Sequence, residues 1–379
     1  MSNEKKPLFW LKFKPMNVQD VCNTLEQWAP LSYQESYDNC GLIIGNPIQD
    51  ITGVLVSLDC LENIVDEAIF LNCNMIVSHH PIIFKGLKSI TGKNYVERTV
   101  LKAIKNDIAI YAIHTNLDHL DRGVCHRMSE QIGLINSRVL SPRKGLLKML
   151  VTYVPKENAE SVRSSLFQLG AGSIGNYSEC NFSFEGKSTF KGLQESNPII
   201  GERGLRENVL EERLELVFSS HLESQVIACL NQNHPYEKVA FQIISIDNKH
   251  QYIGAGRIGE LPTPKSAREF LSSLKKSFKS NCVRHSSILD RKIKTVALCG
   301  GSGNFLLPLA KQYGADIFIS SDFKYHDFFD AENKIVIADI GHYESEQYTI
   351  ELIGDFLRKK FPRFAFHLSK INTNPINYL

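Results

Sequence analysis

Three short stretches of the chain set imidazoles beside carboxylates: Ser78-His79-His80-Pro81, His114-Thr115-Asn116-Leu117-Asp118-His119, and Asp339-Ile340-Gly341-His342-Tyr343-Glu344-Ser345-Glu346. Neutral imidazole and carboxylate together suit divalent Zn, Fe, Mn, Co or Ni, and a carboxylate such as Asp118 can bridge two ions and cancel part of their repulsion. Two neighbouring rings, His79 and His80, can serve two metals. His342 and Glu346 are spaced so that a helix beginning near Tyr343 brings both side chains to one end, about one turn apart. Each stretch alone has a plainer account: paired structural histidines, a helix cap at Asp118, a charged first helical turn at Glu346. Together they predict one centre drawn from distant parts of the chain. Carboxylates and rings at the ends of apolar strands need partners, and cations are efficient ones.

Lesser candidates surround these. His326, in Ser321-Asp322-Phe323-Lys324-Tyr325-His326, is the candidate acid or base because imidazole titrates near neutrality, though a surface histidine fits equally. Asp322 and Lys324 sit in the same strand-end stretch and are candidates to support the site. Asp59, closing an apolar run, is placed to orient a ligand histidine through its other ring nitrogen. The glycine turn Gly300-Gly301-Ser302-Gly303-Asn304 offers amides to a phosphate at a helix start, yet it lacks the P-loop lysine and the dinucleotide fingerprint, and a tight turn is the plainer reading.

The elements that must position these residues follow a strand and helix rhythm. VQDVCNTLEQWAP, CLENIVDEAIFLN and NYVERTVLKAIKNDI have helical spacing, while ITGVLVSLD, MIVSHH and IAIYAIHTN read as buried strands. That alternation predicts an α/β layer on a mostly parallel sheet. From Leu146 the grammar changes. LLKMLVTYV, a helix opened by PKENAESV, a Gly, Ser and Asn-rich stretch from Gly170 to Gly204, then ERLELVFSS, HLESQVIACLNQNHP and VAFQIISID make a ferredoxin-like α+β insert. After the Gly and Pro-rich connector GAGRIGELPTP the α/β rhythm resumes with SAREFLSSLKKSF, TVALCG, FLLPLAKQYG, ADIFISSD and KIVIADIG, and closes in the helix ESEQYTIELIGDFLRKKF. The expected division is a first lobe over 1–145, an insert over 146–250 and a second lobe over 251–379 of one metal-binding body.

Composition narrows the function classes. With 43% hydrophobic and 22% charged residues the chain is globular, and a net charge of +2 without a basic stripe gives no support to a nucleic-acid surface. The opening MSNEKKPLFWLKFKPM has no apolar core of signal-peptide length, and no later run spans a bilayer, so no membrane association and a cytoplasmic address are expected. Nine cysteines without a C-x-x-C pair read as free thiols in a reducing compartment.

SHHPIIFKGL, HTNLD, the glycine turn, D-x-K-x-H and GHYESE, in that order, resemble the Nif-three-like dinuclear-metal family, often labelled GTP cyclohydrolase 1 type 2 homologs. The resemblance covers nearly the whole chain, and the insert looks like that family's PII-like or CutA-like domain. It implies that His79, His80, Asp118, His342 and Glu346 ligate two divalent metal ions, with His114 and His326 beside the site. It also implies toroidal homohexamers whose sites face an internal cavity, with the inserts over the openings. Two positions depart from the pattern: Ser320-Ser321-Asp322 stands where Thr-Gly-Asp is usual, and His119 stands where a small residue is common and could offer the metals an extra ring. The implied activity is a metal-dependent hydrolase acting on a nucleotide or related small molecule, the family label pointing to GTP opened at its imidazole ring with release of formate. Glu346 and His326 are then the catalytic candidates. Phosphoester hydrolysis at the same site, and a metal-binding regulator or scaffold sensing a ligand through its insert, are the alternatives.

Overall fold

The computed structural model describes residues 16–379, so most of the opening stretch read above for a leader lies outside the described residues. The chain divides into two compact units, one running up to Arg138 and resuming over Gly256–Leu379, the other Val139–Ala255.

In the first unit, one sheet has the strand order Gly41–Ile44, Ala109–Ala112, Met75–Ser78, Val54–Ser57, Phe366–Leu368, all neighbours parallel except the first pair. Its three central strands are buried at every position, as strands covered on both faces must be. Alternation sorts their side chains. Val54, Val56, Met75, Val77 and Tyr111 pack against helices Val18–Trp28 and Thr349–Lys360, whereas Leu55, Ile76 and Ile110 pack against Glu62–Phe70 and Tyr95–Lys105. Local chemistry starts these helices where the sequence suggests: Asn17 and Asp20 form a reciprocal cap on the first, and Asn94 caps the backbone of Glu97 on another.

A second sheet carries the parallel strands Ile293–Leu298, Ile317–Ser320 and Val336–Asp339, with Arg284–His285 antiparallel at one side. On the other side the supposed connector GAGRIGELPTP is not a linker. It belongs to the long strand His250–Lys265, whose Arg257–Glu260 stretch pairs antiparallel with Ile293–Leu298. Gly259 is there for closeness, since a Cβ would come within 2.9 Å of the Ser137 side chain, and both prolines fall where the ladder is interrupted between Glu260 and Lys265. Arg257, 4% exposed, pairs with Asp121 and bonds Ser137, tying the two separated stretches of chain together.

The expected closing helix is two, His342–Glu346 and Thr349–Lys360, and the chain then adds the unanticipated strand Phe366–Leu368 beside Val54–Ser57.

The second unit has strands Leu147–Pro155, Phe182–Lys191, Arg206–Ser219 and Phe241–Ile246 with helices Ala159–Gln168 and Glu223–Asn233. Its sheet runs Phe182–Lys191, Arg206–Ser219, Leu147–Pro155, Phe241–Ile246, antiparallel throughout. Leu150, Val154, Val162, Leu166, Leu214, Leu216, Phe218, Val226 and Leu230 form its core. The stretch from Gly170 to Gly204 is more than a loop. Its edge strand is mostly exposed and so lacks an apolar alternation, but backbone pairing with Arg206–Ser219 along its whole length organises it.

Among the described residues no helix is long and apolar enough to cross a membrane, and all nine cysteines are free.

Candidate metal centre

The three imidazole and carboxylate stretches converge in the first unit. His79 and His80 follow strand Met75–Ser78, His114 and Asp118 follow Ala109–Ala112, and His342 opens the short helix after Val336–Asp339, so C-terminal ends of parallel strands in both sheets deliver the side chains. Ligating atoms of His79, Asp118 and Glu346 lie within 4.8 Å of one another, as do those of His80, His342 and Glu346, and those of His79, His80 and His114. Glu346 belongs to two of these groups.

Each ring is aimed by a hydrogen bond at its other nitrogen. His79 Nδ1 donates to the Ile113 carbonyl at 2.8 Å, His80 Nδ1 to Asp59 Oδ1 at 2.8 Å, His114 Nδ1 to Asp38 Oδ1 at 2.8 Å, and His342 Nδ1 to Asp322 Oδ2 at 2.7 Å. A carbonyl or carboxylate only accepts, so Nδ1 holds the proton and Nε2 of a neutral ring presents a lone pair to the centre. For His80 and His342 that nitrogen meets Glu346 Oε2, at 3.0 and 3.1 Å. For His79 it meets Asp118 Oδ1 at 3.6 Å, and neither atom, both buried, has a hydrogen-bond partner. Two lone-pair atoms facing each other without solvent are costly unless a cation or a proton stands between them. The donor set therefore fits divalent metal ions.

Electrostatics tell the same story for the bare protein. Burial pushes His79 down to about 3, against the pull of Glu346. Burial also disfavours charge on His80, but Asp59 and Glu346 outweigh it and push the ring up to about 10. Glu346 first, then Asp322, raise His342 to about 11 despite its burial. Burial, then the Glu346 charge, lift Asp118 well above the carboxylate range; burial works the same way on Glu346, yet His342 and His80 outweigh it and hold that carboxyl well below. Protons thus occupy the positions that cations would take.

The supporting turns are built for this purpose. Asp339 accepts from the amides of Phe323 and Gly341, and Gly341 has φ of 95°, so the chain bends sharply into the helix that carries His342 and Glu346. Asp322 itself has φ of 59°, a left-handed position paid for by the bond to His342.

Asp59 and Asp322 stand behind the rings of His80 and His342. Asp38 was missed. It lies in a loop, Tyr37-Asp38-Asn39, with no periodicity or motif to mark it, yet it holds His114 and also bonds the Thr115 hydroxyl. Burial would raise Asp38, but His114 and Thr115 outweigh it and keep the carboxyl well below its usual range. His114 itself joins a converging group rather than merely flanking it.

Two other readings change, and a third residue stands apart from the cluster. His119 offers no ring to the centre, because Nδ1 donates to the Tyr33 carbonyl at 2.8 Å and Nε2 faces Glu35 at 3.1 Å. The glycine turn is not a free anion cradle: the Gly301 amide donates to Ser345 Oγ and the Gly303 amide to Ser320 Oγ. Gly301 serves the centre by its smallness, since a Cβ there would come within 2.4 Å of Glu346 Oε1. His326 is exposed, its ring edge-on to Tyr325 with centroids 5.2 Å apart, and belongs to none of the converging groups.

The chain is similar to proteins already known. The model of the Duf34/NIF3 (NGG1p interacting factor 3) family matches residues 16–375. A Bacillus subtilis protein named GTP cyclohydrolase 1 type 2 homolog is 40% identical over 97% of this chain and 100% of its own, and a Staphylococcus epidermidis protein of the same name is 38% identical over 96% and 100%. Among solved structures, a Bacillus cereus protein related to NIF3 superposes with a TM-score of 0.85 at 36% identity, covering 97% of this chain and 100% of that one. The Staphylococcus aureus protein SA1388 gives 0.77 at 31%, with 97% and 100% covered.

Proposed function

The chain belongs to the Duf34/NIF3 family, and on that premise we propose that it is a hydrolase dependent on two divalent cations, held by His79, His80, Asp118, His342 and Glu346. The observation that carries the proposal is the buried, unpartnered pair His79 Nε2 and Asp118 Oδ1, set 3.6 Å apart beside Glu346. Bound there, such cations supply Lewis acidity and lower the pKa of a water toward neutrality. The chain's own residues do the rest. Asp59 and Asp322 hold the tautomers of His80 and His342, the Ile113 carbonyl holds that of His79, and Glu346 is shared between the two halves of the centre. His114, fixed by Asp38, borders the space in which a substrate meets the centre, and His326 carries the proton to solvent.

The relatives' name supports a nucleotide such as GTP as substrate, opened at its imidazole ring with release of formate. The phosphoesterase alternative loses one support, because the glycine-turn amides are already used. The order strand, helix, strand, strand, helix, strand and the sheet order of the second unit support a ferredoxin-like insert of PII or CutA type. We place such inserts over the openings of a homohexameric ring. A cytoplasmic location completes the reading. The regulator alternative draws on a cavity of about 560 Å³ in that insert, lined by residues between Ser188 and Ala240.

Turnover assays on the metal-loaded protein discriminate. Formate release from GTP supports ring opening, phosphate release supports the esterase, and neither activity, across several metals, favours the regulator. Glu346→Gln is expected to abolish turnover and leave the fold intact; full activity with unchanged metal content in that variant would overturn the role given to Glu346.

A further inference from the structure

The second unit contains a cavity of about 560 Å³, within the range of small-molecule sites, formed between the sheet and the stretch from Gly192 to Ile200. Its walls are largely apolar, with Phe190, Pro198, Ile199 and Ile200 prominent. Of the polar residues that also line it, three sit together on the sheet side. Glu211 lines the cavity at 5% exposure, and it has no cationic partner among the described residues. Ser188 Oγ and the Tyr236 hydroxyl also line it, and both atoms are buried without a hydrogen-bond partner. The Tyr236 hydroxyl lies beside Glu211, and burial first, then its contact with that carboxylate, push the phenol up.

Strand geometry explains how these groups come to share one place. Along Arg206–Ser219, alternation puts Glu211 with Val209 on the face opposite Leu214, Leu216 and Phe218, the side chains that pack under the helices. Ser188 lies directly across the ladder from Val209 and so points to the same face as Glu211. A carboxylate that no cation meets, beside a buried Ser188 hydroxyl with no partner, is an expensive combination on an apolar wall. A primary ammonium answers both, because it carries one positive charge and three donors and accepts nothing.

We propose that this cavity of the inserted unit binds a small organic cation, a primary ammonium on an aromatic or branched aliphatic body. Glu211 is its counter-ion, the hydroxyls of Tyr236 and Ser188 accept its remaining N–H groups, and Phe190, Ile199 and Ile200 enclose the apolar part. Lys191 and Lys238 also border the cavity but are exposed and pair with no carboxylate inside it. The proposal stands independently of any chemistry at the metal centre.

The test is calorimetric titration of the full chain with phenethylammonium, its neutral analogue 2-phenylethanol, and 3-phenylpropionate. A charge-assisted hydrogen bond in a dry site predicts that the ammonium binds roughly ten-fold or more tighter than the alcohol, and that the carboxylate does not bind. Glu211→Gln should erase that preference and leave the alcohol's affinity unchanged. Tyr236→Phe, which keeps the apolar packing, should weaken the ammonium by about three-fold to ten-fold and spare the alcohol. Equal affinity for the three probes, binding of none, or a Glu211→Gln protein that folds and keeps its preference overturns the proposal. Ammonium binding that disappears as protein concentration rises would also overturn it, since a second copy of the chain would then be the occupant.

Discussion

Replacing Asp59 by alanine removes the acceptor that fixes the His80 ring, without touching any atom that faces the centre. Asp59 Oδ1 receives His80 Nδ1–H at 2.8 Å, and the two side chains are 29% and 22% exposed, so the bond works in a partly dry setting. Loss of such an orienting partner typically lowers metal affinity by about 10- to 100-fold, or roughly 1.4 to 2.7 kcal/mol. Asp59→Ala, which frees the ring to turn and to change tautomer, belongs near the upper limit. Asp59→Asn keeps an oxygen for Nδ1–H but removes the charge, and belongs near the lower one. The Thr373 hydroxyl also donates to Asp59, so Thr373→Val should have a smaller effect than either. Competition titration of Mn or Zn against a chromophoric chelator measures all three. Metal affinity in Asp59→Ala equal to that of the parent protein would refute the claim that His80 is a ligand held through its second nitrogen.

Three further outcomes follow from the same geometry. Gly301→Ala places a methyl 2.4 Å from Glu346 Oε1 at a φ of 58°, so urea unfolding should show a loss of about 1–3 kcal/mol together with reduced metal content, and a neutral substitution would contradict the packing. In the chelated protein, His80 has a folded pKa of about 10, above its unfolded value, so its contribution is complete below pH ~6.5 and is lost as pH rises toward 10; melting of chelator-treated protein should decline over that window by up to about 1.4 kcal/mol per pH unit. His342 shifts the same way, but its greater exposure screens its share. A flat alkaline profile would contradict the charged His80–Glu346 contact. Arg257→Ala removes a buried guanidinium that bonds Asp121 and Ser137, and should destabilise the fold by about 1–3 kcal/mol; a neutral substitution would show that these bonds do not join the two halves of the unit.

The strand ends were readable because buried parallel strands are continuous apolar runs, and in this chain each run stops at a chemically distinctive residue: Ser78 before His79, Ala112 before His114, Asp339 before His342. The helical spacing of His342 and Glu346 was equally legible, and the i,i+4 contact at 3.1 Å follows from it. What escaped was set by tertiary contact. Asp38 sits in an irregular loop and becomes an orienting group only because folding brings it to His114. Gly254 and Gly259 read as part of a linker, but their smallness serves a strand packed closely on its neighbour. Phe182–Lys191 is an exposed edge whose order comes from backbone pairing rather than from side-chain pattern. His119 looked like a spare ligand because nothing in its local sequence reveals that Tyr33 and Glu35 claim both ring nitrogens.

The central claim is that imidazoles and carboxylates from the two ends of the chain share a pair of cations. Anomalous diffraction from crystals of the Mn- or Zn-loaded protein measures it directly. The expected result is two peaks about 3.5–4 Å apart, with Glu346 touching both, His79 and Asp118 at one and His80 and His342 completing the other, at coordination distances of roughly 2.0–2.2 Å. Metal bound elsewhere on the surface, or a fully loaded crystal with no peak between Asp118 and Glu346, would contradict it.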